Sequence, residues 1–341
     1  MDKLIVASMR EGAGKTSVIL GMAEAAKTGY MKPFGDRLHY RKKRLWDYDS
    51  ALVTNILGLK ENPEDMSIGF EHSKLRFTYD EEEIKEKLLE SVSNLEADKD
   101  ILFVEGGKDL EYGVSVYLDA ISVAQYIDGK LVMVMSGNDD AIVDDIIFLK
   151  KYVDMRKVNF IGVIINKVHD VEDFKNVHLD SITKMGVNVL GVIPYEVELT
   201  YFSVDYLSHY LFAKVIAGES RVNNLVKNIF VGATSADAAL RKPEFKKEKK
   251  LIITGGDRSD MILAALESDT TCIILTNNIL PPANIISKAA EQNVPLLLVS
   301  SDTYQTAKQI DNLAPLLTKD NTEKIELLRE LVKKHVNNLS C

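Results

Sequence analysis

A glycine-rich loop between a short apolar strand and a helical pattern constrains this chain more than any other feature. Apolar residues 4–7 precede residues 8–16, here called the glycine loop, and hydrophobic residues then recur at helical spacing from Val18 onward. Glycines let backbone N–H groups turn inward on a polyphosphate, and the N-terminus of the following helix adds partial positive charge. The sequence therefore predicts a phosphate-binding loop, with Met9 standing where the usual spacing has a glycine.

The loop ends in Gly-Lys-Thr, and the last two side chains have distinct expected roles. Lys15 can reach the β- and γ-phosphates, and the Thr16 hydroxyl can hold Mg²⁺. Arg10 lies on the loop and either reaches a nucleotide, often across a dimer interface, or stays a solvated arginine. We expect ATP contacts along the loop from Arg10, Glu11, Gly12, Ala13, Gly14, Lys15, Thr16 and Ser17.

Charge and apolar patterning exclude several classes of partner. The net charge is 42 − 51 = −9, which argues against nucleic acid because phosphate neutralisation needs a basic face. The longest apolar runs have the length of a strand, so no membrane partner is expected. Two cysteines, Cys272 and Cys341, cannot build a disulfide framework, and a cytoplasmic location fits best.

Apolar strands alternate with amphipathic helices, which predicts an α/β fold with a parallel sheet and helices on both faces. We expect strands at 3–7, 30–34, 101–104, 131–135, 160–165, 189–193, 228–231, 250–253, 272–275 and 295–299. We expect helices at 15–27, 49–57, 80–95, 116–126, 139–152, 172–185, 203–216, 235–241, 258–267, 283–291, 303–312 and 321–338.

The alternation falters after residue 216, which indicates a domain boundary near 218. The prediction is a P-loop domain over 1–218, a smaller α/β domain over 219–318 and a C-terminal helical segment over 319–341.

Polar residues at the ends of predicted strands are candidates for the site. Glu105 follows an apolar strand, and a carboxylate there can hold Mg²⁺ beside a phosphate loop. Lys32 ends the second strand and either holds a second anion, a carboxylate or phosphate, or is an ordinary exposed lysine. Asp47 and Asp49 begin a helix, where either is an N-cap or a further Mg²⁺ ligand.

The segment after the fifth strand bears on the choice of base. Asn166 has an amide that can read a base edge, whereas His169 stands where a guanine-reading carboxylate would be. Adenine is therefore expected over guanine.

Two further segments leave alternatives open. A basic run either attracts an anionic substrate or is a solvated loop, which is the commoner case; it comprises Arg37, Arg41, Lys42, Lys43 and Arg44. A turn between a strand and a helix is either an anion site or a capped turn, and Arg258 in it either binds that anion or forms a structural bridge; the turn comprises Gly255, Gly256, Asp257 and Arg258.

These motifs, in this order, resemble a known pair of domains. The first 215 or so residues look like dethiobiotin synthetase and its relatives, through the glycine loop and segments 30–33, 49–52, 104–107, 165–167 and 191–194. The second block resembles the DRTGG domain, through segments 254–260, 275–278, 295–299 and 301–304. The pair is similar to the N-terminal region of long-form phosphotransacetylases, and we expect the acyl-transferring domain to be missing.

The resemblance implies roles for single residues. Lys15 and Thr16 would contact phosphates and Mg²⁺, with Asp49 and Glu105 completing the metal site. Lys32 would lie where the dethiobiotin enzymes hold the carbamate that they phosphorylate. The adenine pocket would be lined by Asn166, Ile193 and Pro194. Ser8 and residues 10–13 depart from the synthetase loop, and no segment matches its diamine pocket, so nucleotide binding is implied and carboxylase activity is not.

Two functions follow as hypotheses, and the sequence leaves open whether the chain is an enzyme. The first is an Mg·ATP-binding sensor that acts on acyl-CoA or acetyl-phosphate metabolism, with slow ATP hydrolysis left open. Its second domain would bind an anionic metabolite or support a homo-oligomer. The second is a ligase, like dethiobiotin synthetase or cobyrinate diamide synthase, that activates a carboxylate or carbamate with Lys15, Lys32 and Mg²⁺ as its catalytic groups.

Overall fold

The computed structural model describes residues 1–23, 27–41, 44–95, 98–311, 313, 317–319 and 321–337. The chain forms two compact units. The first comprises Met1–Glu196 and the segment from Leu317 onward, and the second comprises Val197–Leu316. Each unit has its own sheet.

The first unit has a six-stranded sheet in the order β2-β5-β1-β6-β7-β8, and every neighbouring pair in it is parallel. A separate antiparallel pair joins β3 and β4. The strands of this unit are β1 Asp2–Ser8, β2 Thr28–Met31, β3 Leu38–Arg41, β4 Arg44–Asp47, β5 Ile101–Glu105, β6 Lys130–Met135, β7 Asn159–Val168 and β8 Val189–Pro194. Its helices before the second unit are α1 Lys15–Met22, α2 Tyr48–Leu57, α3 His72–Thr78, α4 Glu81–Leu95, α5 Ala120–Tyr126, α6 Asp139–Tyr152, α7 Val171–Phe174 and α8 Asp180–Lys184.

The strands around the glycine loop are buried on both faces, as their continuous apolar sequences predict. Residues 4–8 of β1 are all buried between β5 and β6. Because parallel strands end at one edge of a sheet, the loop after β1 and the residues after β5 and β7 meet at the same edge. This edge carries the candidate site.

The second unit has a five-stranded sheet in the order β10-β15-β14-β13-β12, in which only β10 is antiparallel to its neighbour. Its strands are β9 Phe202–Ser203, β10 Lys214–Ala217, β11 Leu225–Val226, β12 Asn228–Val231, β13 Lys250–Gly255, β14 Thr270–Thr276 and β15 Leu296–Leu298. Its helices are α9 Val204–Tyr210, α10 Ala236–Leu240, α11 Ser259–Leu266, α12 Ala283–Glu291 and α13 Thr303–Asp311. The predicted α/β class is confirmed in both units.

The last helix, α14 (Thr322–His335), returns to the first unit. Val332 lies against Gly21 of α1, so closely that a Cβ at Gly21 would collide with the Val332 side chain. Val336 then bridges to Gly191 of β8, and the Asn337 amide donates to the Leu190 carbonyl at 2.9 Å. The division between the units thus lies at Glu196, before the expected boundary at 218, and the C-terminal segment is part of the first unit.

Some predicted elements differ from those observed. The predicted helix 203–216 ends at Tyr210, because the chain turns at Phe212 (φ 51°) and residues 214–217 pair with β15. The predicted helix 172–185 contains a wider turn at Lys175–Leu179 between α7 and α8. The expected loop at the basic run contains the β3–β4 pair, although Lys42 and Lys43 lie outside the described residues. Helix α3 was not predicted.

Within the described part of the chain, no helix combines the length and the apolar character needed to span a bilayer.

Candidate functional site

The glycine loop joins β1 to α1 and is shaped by two glycines with positive φ. Gly12 has φ 73° and Gly14 has φ 96°, a region that L side chains rarely adopt. The backbone N–H groups of Gly12, Gly14, Lys15 and Thr16 have no hydrogen-bond acceptor among the described residues. The loop therefore offers a set of backbone donors at the start of a helix, which is the geometry that binds phosphate groups.

Lys15 lies beneath the loop and is only 7% exposed. Its ammonium donates to the Ser8 hydroxyl at 2.9 Å and to the Lys108 carbonyl at 3.1 Å. Burial lowers the pKa of Lys15, and the nearby Glu105 carboxylate opposes that shift. Both acceptors are neutral groups, so a phosphate would be a stronger partner for this ammonium.

Thr16 and Glu105 meet at the mouth of the loop. The Thr16 hydroxyl donates to Oε1 of Glu105 at 2.9 Å, and the buried Tyr30 hydroxyl donates to Oε2 at 2.8 Å. A hydroxyl beside a carboxylate is an oxygen donor set that suits Mg²⁺, which is usually bound by one or two protein groups plus substrate phosphates. Thr16 and Glu105 therefore fit the expected metal. Tyr30 orients Glu105, but the sequence did not predict it as a site residue because a tyrosine within an apolar strand is common.

The Glu105 carboxyl has an unusual protonation equilibrium. Burial raises its pKa to about 7, the neighbouring Asp49 adds to the rise, and Lys32 and Lys15 oppose it. Near neutral pH the group is thus divided between its acid and carboxylate forms. A cation at the mouth of the loop would favour the carboxylate.

The raised pKa predicts a pH-dependent stability for the ligand-free protein. Between the ordinary pKa of 4.5 and about 7, the folded carboxyl keeps a proton that the unfolded chain has lost. The native state therefore loses stability as pH rises through this window, by roughly 3 kcal/mol at most. Glu105→Gln cannot titrate, so we expect the variant to lack this part of the decline.

Urea unfolding at pH 5, 6, 7 and 8 would measure this difference. The only tryptophan, Trp46, lies in β4 and reports on the first unit through its fluorescence. Equal slopes of unfolding free energy against pH in wild type and variant would contradict the prediction.

Lys32 lies within a group of three carboxylates instead of facing an open site. It is 1% exposed, and its ammonium lies 2.5 Å from Asp36, 2.6 Å from Asp49 and 3.5 Å from Asp47. Burial lowers the pKa of Lys32, but these carboxylates together with Glu105 outweigh it and leave the pKa raised. The ammonium is thus charged and already neutralised by its neighbours.

The structure separates the roles of the two aspartates at the start of α2. Asp47 is the N-cap, because its carboxylate accepts from the amides of Asp49 at 2.8 Å and Ser50 at 3.4 Å. Asp49 instead pairs with Lys32 and, at 3.4 Å, with Arg37. Both Asp49 oxygens have cationic partners, so Asp49 fits the metal less directly than Glu105 does.

Two residues at the end of β7 hold the glycine loop from its other side. The Asn166 amide donates to the Ala13 carbonyl at 2.8 Å, and the Lys167 ammonium donates to the Gly12 carbonyl at 2.7 Å. A Cβ at Gly14 would collide with the Asn166 amide. One N–H of that amide is used by the loop, and the other has no acceptor among the described residues, so both roles of Asn166 are chemically compatible.

Arg10 is paired within its own chain. Its guanidinium donates to both oxygens of Asp145 in α6, at 2.6 and 2.9 Å. The pairing raises the pKa of Arg10, with the Asp145 hydrogen bond as the main cause. Contact between Arg10 and a nucleotide across a dimer stays a prediction.

An aromatic pair lies beyond the ends of β7 and β8. The rings of His169 and Tyr195 are 4.4 Å apart and tilted by 33°. Tyr195 directly follows Pro194, and its amide donates to the Val168 carbonyl at 2.8 Å. Asn166 and Pro194, expected at an adenine pocket, are therefore brought to the same edge of the sheet as this aromatic pair.

In the second unit, the Gly255–Arg258 turn is held by its arginine. The guanidinium of Arg258 lies 3.2 Å from Oδ1 of Asp260 and donates to the Thr234 carbonyl at 2.8 Å. Of the two alternatives for Arg258, anion binding or a structural bridge, these contacts support the structural bridge. Binding of an anion by this turn stays a prediction.

Comparisons with known proteins match both units. The AAA domain family matches residues 2–202, and the DRTGG domain family matches residues 207–313. Phosphate acetyltransferase of Nitratidesulfovibrio vulgaris is 23% identical over 372 residues, covering 98% of this chain and 50% of the relative. The enzyme of Nitrosomonas europaea is 24% identical over 363 residues, covering 98% and 50%. The chain spans about half the length of these curated relatives.

A solved structure also aligns with the chain, at low similarity. It contains the CBS and DRTGG domains of the regulatory region of Clostridium perfringens pyrophosphatase, complexed with the activator diadenosine tetraphosphate. It covers 47% of this chain and 78% of its own, with a TM-score of 0.30 and 18% identity. The family matches confirm the predicted P-loop domain followed by a DRTGG domain. The chain therefore belongs to the AAA domain family, carries a DRTGG domain as well, and is similar over both domains to phosphate acetyltransferases.

Proposed function

We propose that the first unit binds Mg·ATP and that the protein is a nucleotide-responsive regulatory module. One observation carries the proposal: Lys15 and the Thr16–Glu105 pair converge on a loop in which four backbone N–H groups have no acceptor among the described residues. The loop would hold the phosphates, Lys15 would neutralise them, and Thr16 and Glu105 would hold the metal. Mg²⁺ would screen the charge of the phosphates when bound.

The regulated process is proposed from similarity. The relatives named above are phosphate acetyltransferases, and this chain matches both of its domains to them. We therefore place the module in acyl-CoA or acetyl-phosphate metabolism, with the DRTGG domain as the second regulatory element. An anionic metabolite remains the proposed ligand of that domain, although the pairing of Arg258 with Asp260 does not favour it.

The geometry gives less support to the ligase alternative. A ligase would need Lys32 to hold the carboxylate or carbamate that receives the phosphoryl group. Here the Lys32 ammonium is buried and already contacts Asp36 and Asp49, which would repel an anionic substrate. A nucleotide-binding role does not require Lys32 to leave these carboxylates.

A ligand-shift thermal melt on the full chain tests the proposed function. ATP with Mg²⁺ at one hundred times Kd should stabilise the first unit by about 2.7 kcal/mol, or roughly 5–10 °C. Trp46 fluorescence reports this unit. No shift with any nucleoside triphosphate, with and without Mg²⁺, would remove the proposal.

The choice of base gives a separate prediction. We expect ATP to bind at least tenfold more tightly than GTP, because Asn166 offers an amide and His169 occupies the place of a guanine-reading carboxylate. Competition titration measures the ratio. His169→Asp should reduce the preference for ATP over GTP, because the new carboxylate can accept from the guanine amino group. Equal affinities of the wild type for ATP and GTP would contradict the prediction.

A further inference from the structure

Helix α6 presents an exposed apolar patch on an otherwise well-packed unit. Ile147 is 40% exposed, Phe148 is 48% exposed and Tyr152 is 66% exposed. The rings of Phe148 and Tyr152 lie 5.2 Å apart and form one continuous surface. The opposite face of the helix is buried through Ile142, Ile146 and Leu149. The patch therefore belongs to the outward face of a firmly anchored helix.

Charges of opposite sign lie on either side of this patch. Asp140 and Asp144 precede it, and Lys151 lies beside its C-terminal end. At 3.6 residues per turn, these three residues and Ile147 fall within about 60° of the helix circumference. Among the described residues, no salt bridge within 4 Å involves these three side chains, although Asp144 lies near enough to Arg10 to raise its pKa. The Lys151 ammonium lies over the Tyr152 ring, 5.1 Å from its centroid, so it stays at the apolar patch. The face is thus a stripe with an acidic start, an apolar middle and a basic end.

Such a stripe is complementary to itself when one copy is turned end to end. In a two-fold interface residue i meets residue j, and j meets i. A two-fold axis that passes between Ile147 and Phe148 would bring Asp144 of one copy opposite Lys151 of the other. The reason is that the midpoint between positions 144 and 151 along α6 is also the midpoint between 147 and 148. The antiparallel arrangement also opposes the two helix dipoles favourably.

We propose that this face of α6 docks against the same face of a second copy of the chain. Phe148 and Ile147 form the apolar centre, and two symmetric Asp144–Lys151 pairs flank it. A second copy is the occupant that the charge pattern favours, because a single sequence supplies both halves of the complementary surface. Asp145, the neighbour of Asp144, holds Arg10 of the glycine loop, so the interface adjoins that loop.

The apolar centre is tested first, on the full chain without nucleotide, so that the result is independent of the proposed ATP binding. Sedimentation velocity and light scattering should give a dimer at micromolar concentration. Phe148→Asp should weaken the dimer by about 100-fold, since it places two carboxylates in the apolar centre. Phe77→Asp is the matched control, because Phe77 is 94% exposed but lies on α3. A monomeric wild type, or a dimer insensitive to Phe148→Asp, overturns the proposal.

A charge exchange tests the antiparallel arrangement itself. Asp144→Lys places lysine opposite Lys151, and Lys151→Asp places aspartate opposite Asp144, so each single variant should weaken the dimer about tenfold. The double variant restores both opposite-charge pairs and should recover wild-type affinity. Both positions are solvent-exposed, so circular dichroism should show intact folding in all three proteins. A double variant as weak as the singles overturns this pairing.

Discussion

Replacing Lys15 by alanine should weaken Mg·ATP binding by at least 100-fold while the first unit stays folded. The Lys15 ammonium is buried beneath the glycine loop and, unlike that of Lys32, its hydrogen-bond acceptors are neutral groups. A charge-assisted contact with a phosphate in this sheltered place is strong, and 100-fold corresponds to about 2.7 kcal/mol. Stability should change little, because Lys15 is bonded only to neutral groups and burial already disfavours its charge.

Isothermal titration calorimetry would measure the loss. Lys15→Met keeps the length of the side chain without its charge and should lose affinity to the same extent, which separates charge from packing. Lys184→Ala is a control at a lysine side chain that is 80% exposed on α8. Unchanged ATP affinity in both Lys15 variants would contradict the assigned role of the loop.

Replacing Gly21 by a larger residue should destabilise the first unit, although helix propensity alone predicts the reverse. Gly21 lies in the last turn of α1, where alanine would normally stabilise a helix by about 1 kcal/mol. Here a Cβ would collide with Val332 of α14. Overpacking costs typically 1–3 kcal/mol, so we expect Gly21→Ala to be net destabilising and Gly21→Leu to cost about 3 kcal/mol.

Urea unfolding followed by Trp46 fluorescence would test this, combined with a double-mutant cycle. Val332→Ala alone removes buried methyl groups and should destabilise. In the Gly21→Ala background, Val332→Ala should lower the free energy of unfolding by less, or even raise it, because the smaller side chain makes room for the new methyl group. Additive effects of the two substitutions would show that α1 and α14 do not pack as described.

The sequence determined the parts of this protein that depend on local pattern. The glycine loop lies between β1 and α1 as predicted, because strand, glycine turn and helix are neighbours in the chain. The parallel sheets followed from apolar runs of strand length separated by helical periods. The convergence of Thr16 and Glu105 was also predictable, since adjacent parallel strands end at one edge.

The tertiary structure alone decided contacts between segments distant in the chain. From the sequence, Lys32 is an unpaired cation at the end of a strand, but in the fold its ammonium contacts Asp47 and Asp49. Residues 214–217 continue a helical pattern but form a strand, because β15 offers an open edge.

The assignment of α14 shows the same limit. Its apolar stripe predicts that one face is buried but does not identify the partner. That partner is the first unit, through the close fit of Val332 on Gly21 and the pairing of Val336 and Asn337 with β8. Periodicity fixes which face of an element is buried, whereas its partner depends on shape and charge complementarity that no local window of sequence contains.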